Sequence, residues 1–232
     1  YLHYSYIHSS TTKDFIKKFE SEFDEKFYNK EERTKEFTTY MERADAYIKT
    51  IQEAMQAEDM DKDTIFVVLA DHGTGNAEKF GERRYGFLCY DYTLKVFLLI
   101  KNSFLPKQEY TKMIRNVDVL PTLLQILEVK PKEENPLLDG KSILPIIEGK
   151  EIEERLAFSE VAGSEGYDVK SKEPRTKSTI FAVRTDTWKY IFNIITKKKE
   201  LYHLKEDPEE NTNLAGTSLA IEEELNTKLL EI

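Results

Sequence analysis

The chain has 232 residues, 40% hydrophobic and 12% aromatic, enough to bury a sizeable core as one large domain or a main domain with an appendage. Charged residues make up 33% with both signs interspersed, the composition of a globular protein and not of a disordered one. A net charge of -9 argues against nucleic acid as a main partner, which would favour a basic surface, but leaves open a small anion bound in a local field.

Tyr1 to Ile7, dense in Tyr, Ile and Leu, reads as a strand ending at His8, followed by a Ser-Ser-Thr-Thr loop and a charged connection over 14–28. The strand is already under way at Tyr1, without an initiator Met, so a fragment is expected and the lack of a signal peptide leaves the compartment open. From Thr34 to Glu58, Phe37, Tyr40, Met41, Ala44, Tyr47, Ile48, Ile51 and Met55 recur at three- and four-residue steps and predict a helix with one apolar face. After the turn "DMDKD", the continuous apolar run "TIFVVLA" has the character of a strand buried on both faces of a parallel sheet. Strand, helix and strand form a βαβ unit with an expected right-handed crossover.

That run stops at Asp71, His72 and Gly73, and a polar loop, "TGNAEKFGERR", follows. A second apolar strand is expected over Leu94 to Ile100, and "NVDVLPTLLQILEV" reads as a helix with Asp118 near its start and Pro121 in its first turn. "PKEENPLLDGKSILPIIEGK" is a surface segment punctuated by Pro and Gly. Beyond Glu151 the texture changes to short strands, "RLAFSEVAG", "TIFAVRTDTWKYIFNI" and "KKELYHL", expected to be antiparallel, before a final amphipathic helix over Ser218 to Leu230. The reading is therefore an α/β fold: a mostly parallel sheet sandwiched by helices over residues 1–150, then a small antiparallel β-rich subdomain with a terminal helix over 151–232. No apolar stretch is long enough to cross a bilayer.

Ligands of such sheets sit beyond the carboxyl ends of the strands. A carboxylate beside an imidazole at such an end offers an oxygen to a hard divalent cation and a nitrogen to a transition metal, and Gly73 lets the backbone turn without a Cβ clash. A polar Asp-His-Gly turn also arises for structural reasons, and on chemistry alone both readings stand. Other polar or aromatic residues read as structural. Cys89 is a small buried hydrophobe, His3 packs in its strand, His203 sits in a surface turn, and Trp188 and Tyr190 fill the subdomain core.

"DKDTIFVVLADHG", "GFLCYDYTLKVFLLI", "NVDVLPTLLQIL", "WKYI" and "ELYHLKEDPEENTNLA", in that order, resemble the C-terminal half of the sulfatase family, within the alkaline-phosphatase-like superfamily. The resemblance runs from Tyr1 to about Ala215. It implies that Asp71 and His72 are ligands of a divalent cation, Ca2+ above all, with Mg2+, Mn2+ or Zn2+ also possible. It implies that His8, in the place of the histidine of "H-x-P-Y", contacts the sulfate or the leaving-group oxygen, although "SSTT" stands where the Pro-Tyr is usual. The family's sulfate-binding lysine has no counterpart in "GERRYGFLCYDYTLKVF", where Phe97 also replaces a proline, and Lys79 or Arg84 is the candidate for the positive charge. The nucleophile motif C/S-x-P-x-R and the family's first Asp-Asp metal pair do not occur; "SKEPR" at 171–175 has its proline one residue too late.

The resemblance thus implies a metal-dependent hydrolase of a small-molecule or saccharide sulfate ester, with this chain as a fragment lacking the nucleophile region. The alternatives are a phosphoester or phosphonate hydrolase of the same superfamily and a non-catalytic protein that retains the fold.

Overall fold

The computed structural model describes residues 2, 4, 30–75, 78–79, 85–130, 138–150, 154–161, 167–168, 173–174, 179–217 and 220–231. The chain divides into two compact units, one of 1–85 with 95–106, the other of 86–94 with 107–232. The change of texture near Glu151 falls inside the second unit.

In the first unit, helix α1 spans Lys30–Ala57, starting four residues before the expected Thr34. Phe37, Tyr40, Ile48, Ile51 and Met55 are half-buried and Ala44 is buried, so the 3.6-residue stripe is the packed face. Met41 and Tyr47 lie at its exposed edge, where Tyr47 stacks on Tyr4 with ring centroids 4.8 Å apart. The helix ends with Asp59 in the left-handed region (φ 57°), and the Met60 N–H donates to the Met55 carbonyl at 2.8 Å, closing the last turn. Strands β1 (Phe66–Leu69) and β2 (Leu98–Lys101) then pair antiparallel, Val67 opposite Ile100 and Leu69 opposite Leu98.

This pairing corrects the expected direction: every sheet among the described residues is antiparallel. A continuous apolar run signals burial on both faces and carries no information about the direction of the neighbouring strand. The second apolar run also starts later than expected. Asp91–Leu94 form a single helical turn, α2, which belongs to the other unit, and only Leu98 onward is strand. The first strand, Tyr1–Ile7, falls mostly outside the described residues.

The second unit is built on an antiparallel sheet in the order β3 (Ala157–Val161), β6 (Ile180–Arg184), β7 (Trp188–Asn193), β8 (Lys199–His203), with a separate short pair, β4 (Tyr167–Asp168) and β5 (Glu173–Pro174). Side chains alternate faces along a strand. Ile180, Ala182, Ile191 and Tyr202 therefore join Cys89, Tyr90 and Leu204 on one face, while Val183, Tyr190 and Leu201 meet Leu225 on the other. Leu225 comes from the terminal helix α5, Ala220–Leu230. Cys89, Trp188 and Tyr190 are thus core or core-edge residues, as their setting in the sequence suggests.

Between α2 and this sheet lie a 3-10 turn (Asn116–Asp118), helix α3 (Val119–Ile126) and the short α4 (Leu144–Ile147). Asp118 stands at the start of α3, but its carboxylate does not cap the helix. It accepts from Arg115 Nη2 at 2.8 Å, Arg155 Nη1 at 2.9 Å and the Lys141 N–H at 2.9 Å, joining three distant pieces of chain. Thr122 Oγ1 donates to the Asp118 carbonyl at 2.6 Å and accepts the Ile143 N–H at 3.0 Å. Gly140 is required here, since a Cβ on it would stand 1.8 Å from the Val117 carbonyl oxygen.

Candidate metal and ester site

β1 delivers Asp71 and His72 just past its carboxyl end, with Asp71 exposed and His72 half-buried. The carboxylate folds back on its own turn, Oδ1 accepting the His72 N–H at 2.9 Å. The imidazole Nδ1 is 2.6 Å from the Gly73 carbonyl oxygen. A carbonyl only accepts, so Nδ1 carries a proton, and the tautomer able to bind a metal has its lone pair on Nε2. Nε2 in turn lies 3.7 Å from Asp71 Oδ2. Nε2 and a carboxylate oxygen therefore stand together, with Nδ1 held by a backbone acceptor, the arrangement commonly found behind metal-binding histidines. The Tyr85 ring covers the imidazole, centroids 3.9 Å apart and tilted by 33°.

The donor set fits a divalent cation but does not complete its shell. Among the described residues no group of three or more His, Cys, Asp or Glu could hold a metal ion. Of the other sequence-predicted site residues, Lys79 is half-buried in the loop that follows, while His8 and Arg84 lie outside the described residues. His203 stays structural: its ring meets Trp188 edge to face at 4.4 Å in the second unit.

Two sets of buried polar side chains in the second unit were not anticipated. In the first, Lys189, with no exposed side-chain surface, pairs with Asp91 and with Glu210 at 2.8 Å, and Arg184 Nη2 pairs with Asp91 at 3.1 Å. Burial alone would push the Asp91 carboxyl up, but Lys189 and Arg184 outweigh it and hold the group below the usual carboxylate range. For Glu210 burial wins over Lys189, and its carboxyl is pushed up. In the second, Glu200 accepts hydroxyls from Tyr90 at 2.6 Å and Tyr202 at 2.5 Å. Burial would raise Glu200, yet Lys198 and the two hydroxyls bring it below its ordinary value. The one available signal was a charged residue inside an apolar strand, Lys189 in "TWKYIF", which has to find a partner.

Comparison with known proteins agrees with this architecture. The family model described as "Sulfatase" matches residues 1–129, and the model "N-sulphoglucosamine sulphohydrolase, C-terminal" matches residues 80–232. Among curated relatives, the choline-sulfatase of Rhizobium meliloti is 28% identical over 155 residues, 66% of this chain and 27% of that protein. A protein solved in complex with its substrate D-glucosamine-2-N,6-O-disulfate superposes with a TM-score of 0.64 at 23% identity, over 81% of this chain and 37% of that one. The phosphonate monoester hydrolase of Agrobacterium radiobacter gives 0.66 at 20% identity, over 84% and 40%. These two likenesses show the fold. The chain spans 27–43% of the length of the curated relatives it matches. With two family models together covering it from end to end, and a strand-end Asp-His pair where the resemblance expects metal ligands, the chain belongs to the sulfatase family.

Proposed function

We propose that this chain is part of a sulfuric ester hydrolase, in which Asp71 and His72 hold a divalent cation, Ca2+ above all. The observation that carries this reading is the pinned tautomer of His72. Nδ1 is committed to the Gly73 carbonyl, so the Nε2 lone pair stands 3.7 Å from Asp71 Oδ2. The bound cation would supply Lewis-acid stabilisation of negative charge developing on the ester oxygens. Asp71 contributes a full negative charge and a hard oxygen, and His72 a neutral nitrogen that cannot turn away while its other nitrogen is hydrogen-bonded. Lys79 and Arg84 are the candidates for neutralising the sulfate, and His8 for assisting the leaving oxygen.

The substrate class proposed is a small-molecule or saccharide sulfate ester, in keeping with the choline-sulfatase relative and the disulfated glucosamine bound by a structural neighbour. Ca2+ takes 6–8 oxygen ligands, far more than one carboxylate and one imidazole provide. The remaining ligands and the nucleophile are assigned to parts of the family's fold outside these 232 residues, which alone are expected to be inactive. Phosphonate or phosphate ester hydrolysis is the second reading, favoured by the likeness to a phosphonate monoester hydrolase.

The test is a Ca2+ and Mn2+ titration by calorimetry on the full gene product, with turnover of an aryl sulfate and an aryl phosphate. Wild type is expected to bind a divalent ion and hydrolyse the sulfate. Asp71→Asn and His72→Gln should each lower divalent affinity by at least about 10–100-fold, the range already found when only the groups behind a ligand are removed. Turnover of the phosphate ester alone selects the second reading. No divalent binding together with no turnover of either ester defeats both.

A further inference from the structure

The turn that joins β7 to β8 departs from the usual chemistry of a hairpin apex. Such turns are commonly made of Gly, Asn, Asp or Pro, which suit the backbone and favour water. Here residues 194–199 are Ile-Ile-Thr-Lys-Lys-Lys, and every one of them is exposed, Ile195 to 54%. Leu69, Leu99 and Leu120 are exposed as well, but they lie on strands or a helix, whose faces a further layer can cover. An apex has no such face. Single exposed aliphatics are ordinary on a protein surface, whereas two in succession at an apex, beside three lysines, form an amphipathic tip.

The backbone of this tip is largely satisfied from within. The Asn193 N–H donates to the Lys198 carbonyl at 3.0 Å, and the Ile194 N–H to the Thr179 carbonyl at 2.8 Å. Asn193 Oδ1 accepts the Ile195 and Thr196 N–H groups at 2.9 and 3.0 Å, and Thr196 Oγ1 accepts the Lys198 N–H at 3.3 Å. Taking an unbonded N–H out of water is costly, and these donors no longer carry that cost. Lys198 pairs with Glu200 at 2.8 Å, and the Lys197 ammonium lies 5.9 Å from the Phe192 ring centroid. Among the described residues Lys197 and Lys199 have no acidic partner, so a positive tip stands out from a chain whose net charge is -9. We propose that the apex Ile194–Lys199 docks on an anionic lipid bilayer. The two isoleucines enter the headgroup boundary, and the lysine stems reach back to the lipid phosphates. A sulfated saccharide fits less well, because it is read through N–H and O–H donors, which the apex has spent on itself. All of these residues belong to the second unit, and the proposal is independent of the reading of Asp71 and His72.

The test is sedimentation of the full gene product with vesicles of phosphatidylcholine alone and of phosphatidylcholine mixed with phosphatidylglycerol. Wild type should bind the mixed vesicles, ignore the neutral ones and be released by salt. Lys197→Gln and Lys199→Gln should each weaken binding about fivefold, and Ile195→Ser about tenfold. Unchanged Trp188 emission without vesicles verifies the fold of these three variants. Ile195→Trp reads the apex directly: its emission should shift to the blue when mixed vesicles are added, while the wild-type emission, from Trp188 in β7, stays in place. Failure of wild type to bind mixed vesicles overturns the proposal. So does binding that survives Ile195→Ser and both lysine variants, and so does an Ile195→Trp emission unmoved on bound vesicles. Retention on heparin that the lysine variants lose, with no vesicle binding, assigns the apex to an anionic saccharide and equally overturns the bilayer.

Discussion

The strand pair that carries the candidate site and the four-stranded sheet are both antiparallel and both apolar, yet they are built differently. In the sheet, Val183, Tyr190 and Leu201 have no exposed surface, and a packed apolar cluster lies on each face. In the strand pair no residue is fully buried, and Leu69 and Leu99 are 41% and 48% exposed. Two strands of four residues are too little to be stable alone. The difference separates a scaffold, over-determined by packing and buried charge, from a site-bearing edge held by few contacts. Functional groups are commonly found on such edges, where local stability is low.

Four measurements can break or sharpen that contrast, and the single tryptophan, Trp188, reports unfolding of the sheet directly. The largest effect is expected for Lys189→Met, which leaves Asp91 and Glu210 as facing buried carboxylates. Removing one partner of a buried pair costs about 3–5 kcal/mol, read as a lower urea midpoint of Trp188 fluorescence. Leu201→Ala should cost about 2–5 kcal/mol in the same experiment, whereas Leu99→Ala in the strand pair should cost less than about 1 kcal/mol by far-UV circular dichroism. Equal costs for the two leucines would erase the distinction. Gly140→Ala forces its new methyl against the Val117 carbonyl and should cost about 1–3 kcal/mol, since backbone has to shift. The smallest stability change belongs to Asp71→Asn, within about 0.5 kcal/mol of wild type, because the side chain is exposed and its amide oxygen can still accept the His72 N–H.

The scaffold should also have a distinctive acid response. Asp91, Asp118 and Glu200 are held below their ordinary values, so each contributes stability that is complete above the unfolded pKa, about 4, and lost as pH falls through the lower folded value. Glu210 is raised and acts in the opposite sense: its contribution is present at low pH and lost as pH rises through its folded value. Three against one, the midpoint of the Trp188 transition should fall below pH 4, and Asp118→Asn should flatten that fall. A midpoint insensitive to acid would mean that the charge sets are not formed in solution.

Much of this was legible in the sequence, for identifiable reasons. The C-terminal strands alternate and the long helix repeats at three and four residues, so local pattern sufficed for both. Asp71 and His72 could be singled out because a polar pair interrupts an apolar run. The direction of β1 against β2 was not legible, since residue pattern reports burial and not polarity of the chain. The Asp91–Glu210 contact joins positions 119 apart, beyond any periodic signal. Asp118 was legible as a helix-start residue, but not the two arginines and the remote backbone N–H that its carboxylate bonds.

Glu200 with its two tyrosines has one more consequence, at the opposite end of the pH scale. Burial first, and the neighbouring Glu200 second, push the Tyr90 and Tyr202 hydroxyls far above the usual range, and burial raises Tyr190 to about 12. A phenol whose folded pKa is raised contributes stability that is complete below its unfolded value, near pH 10, and lost as pH rises through its folded value. In alkali these three phenols will keep their ultraviolet absorption unshifted while exposed tyrosines turn to phenolate, until the sheet opens and they ionise together. The absorbance step of that moment gives an optical count of the residues that seal its core.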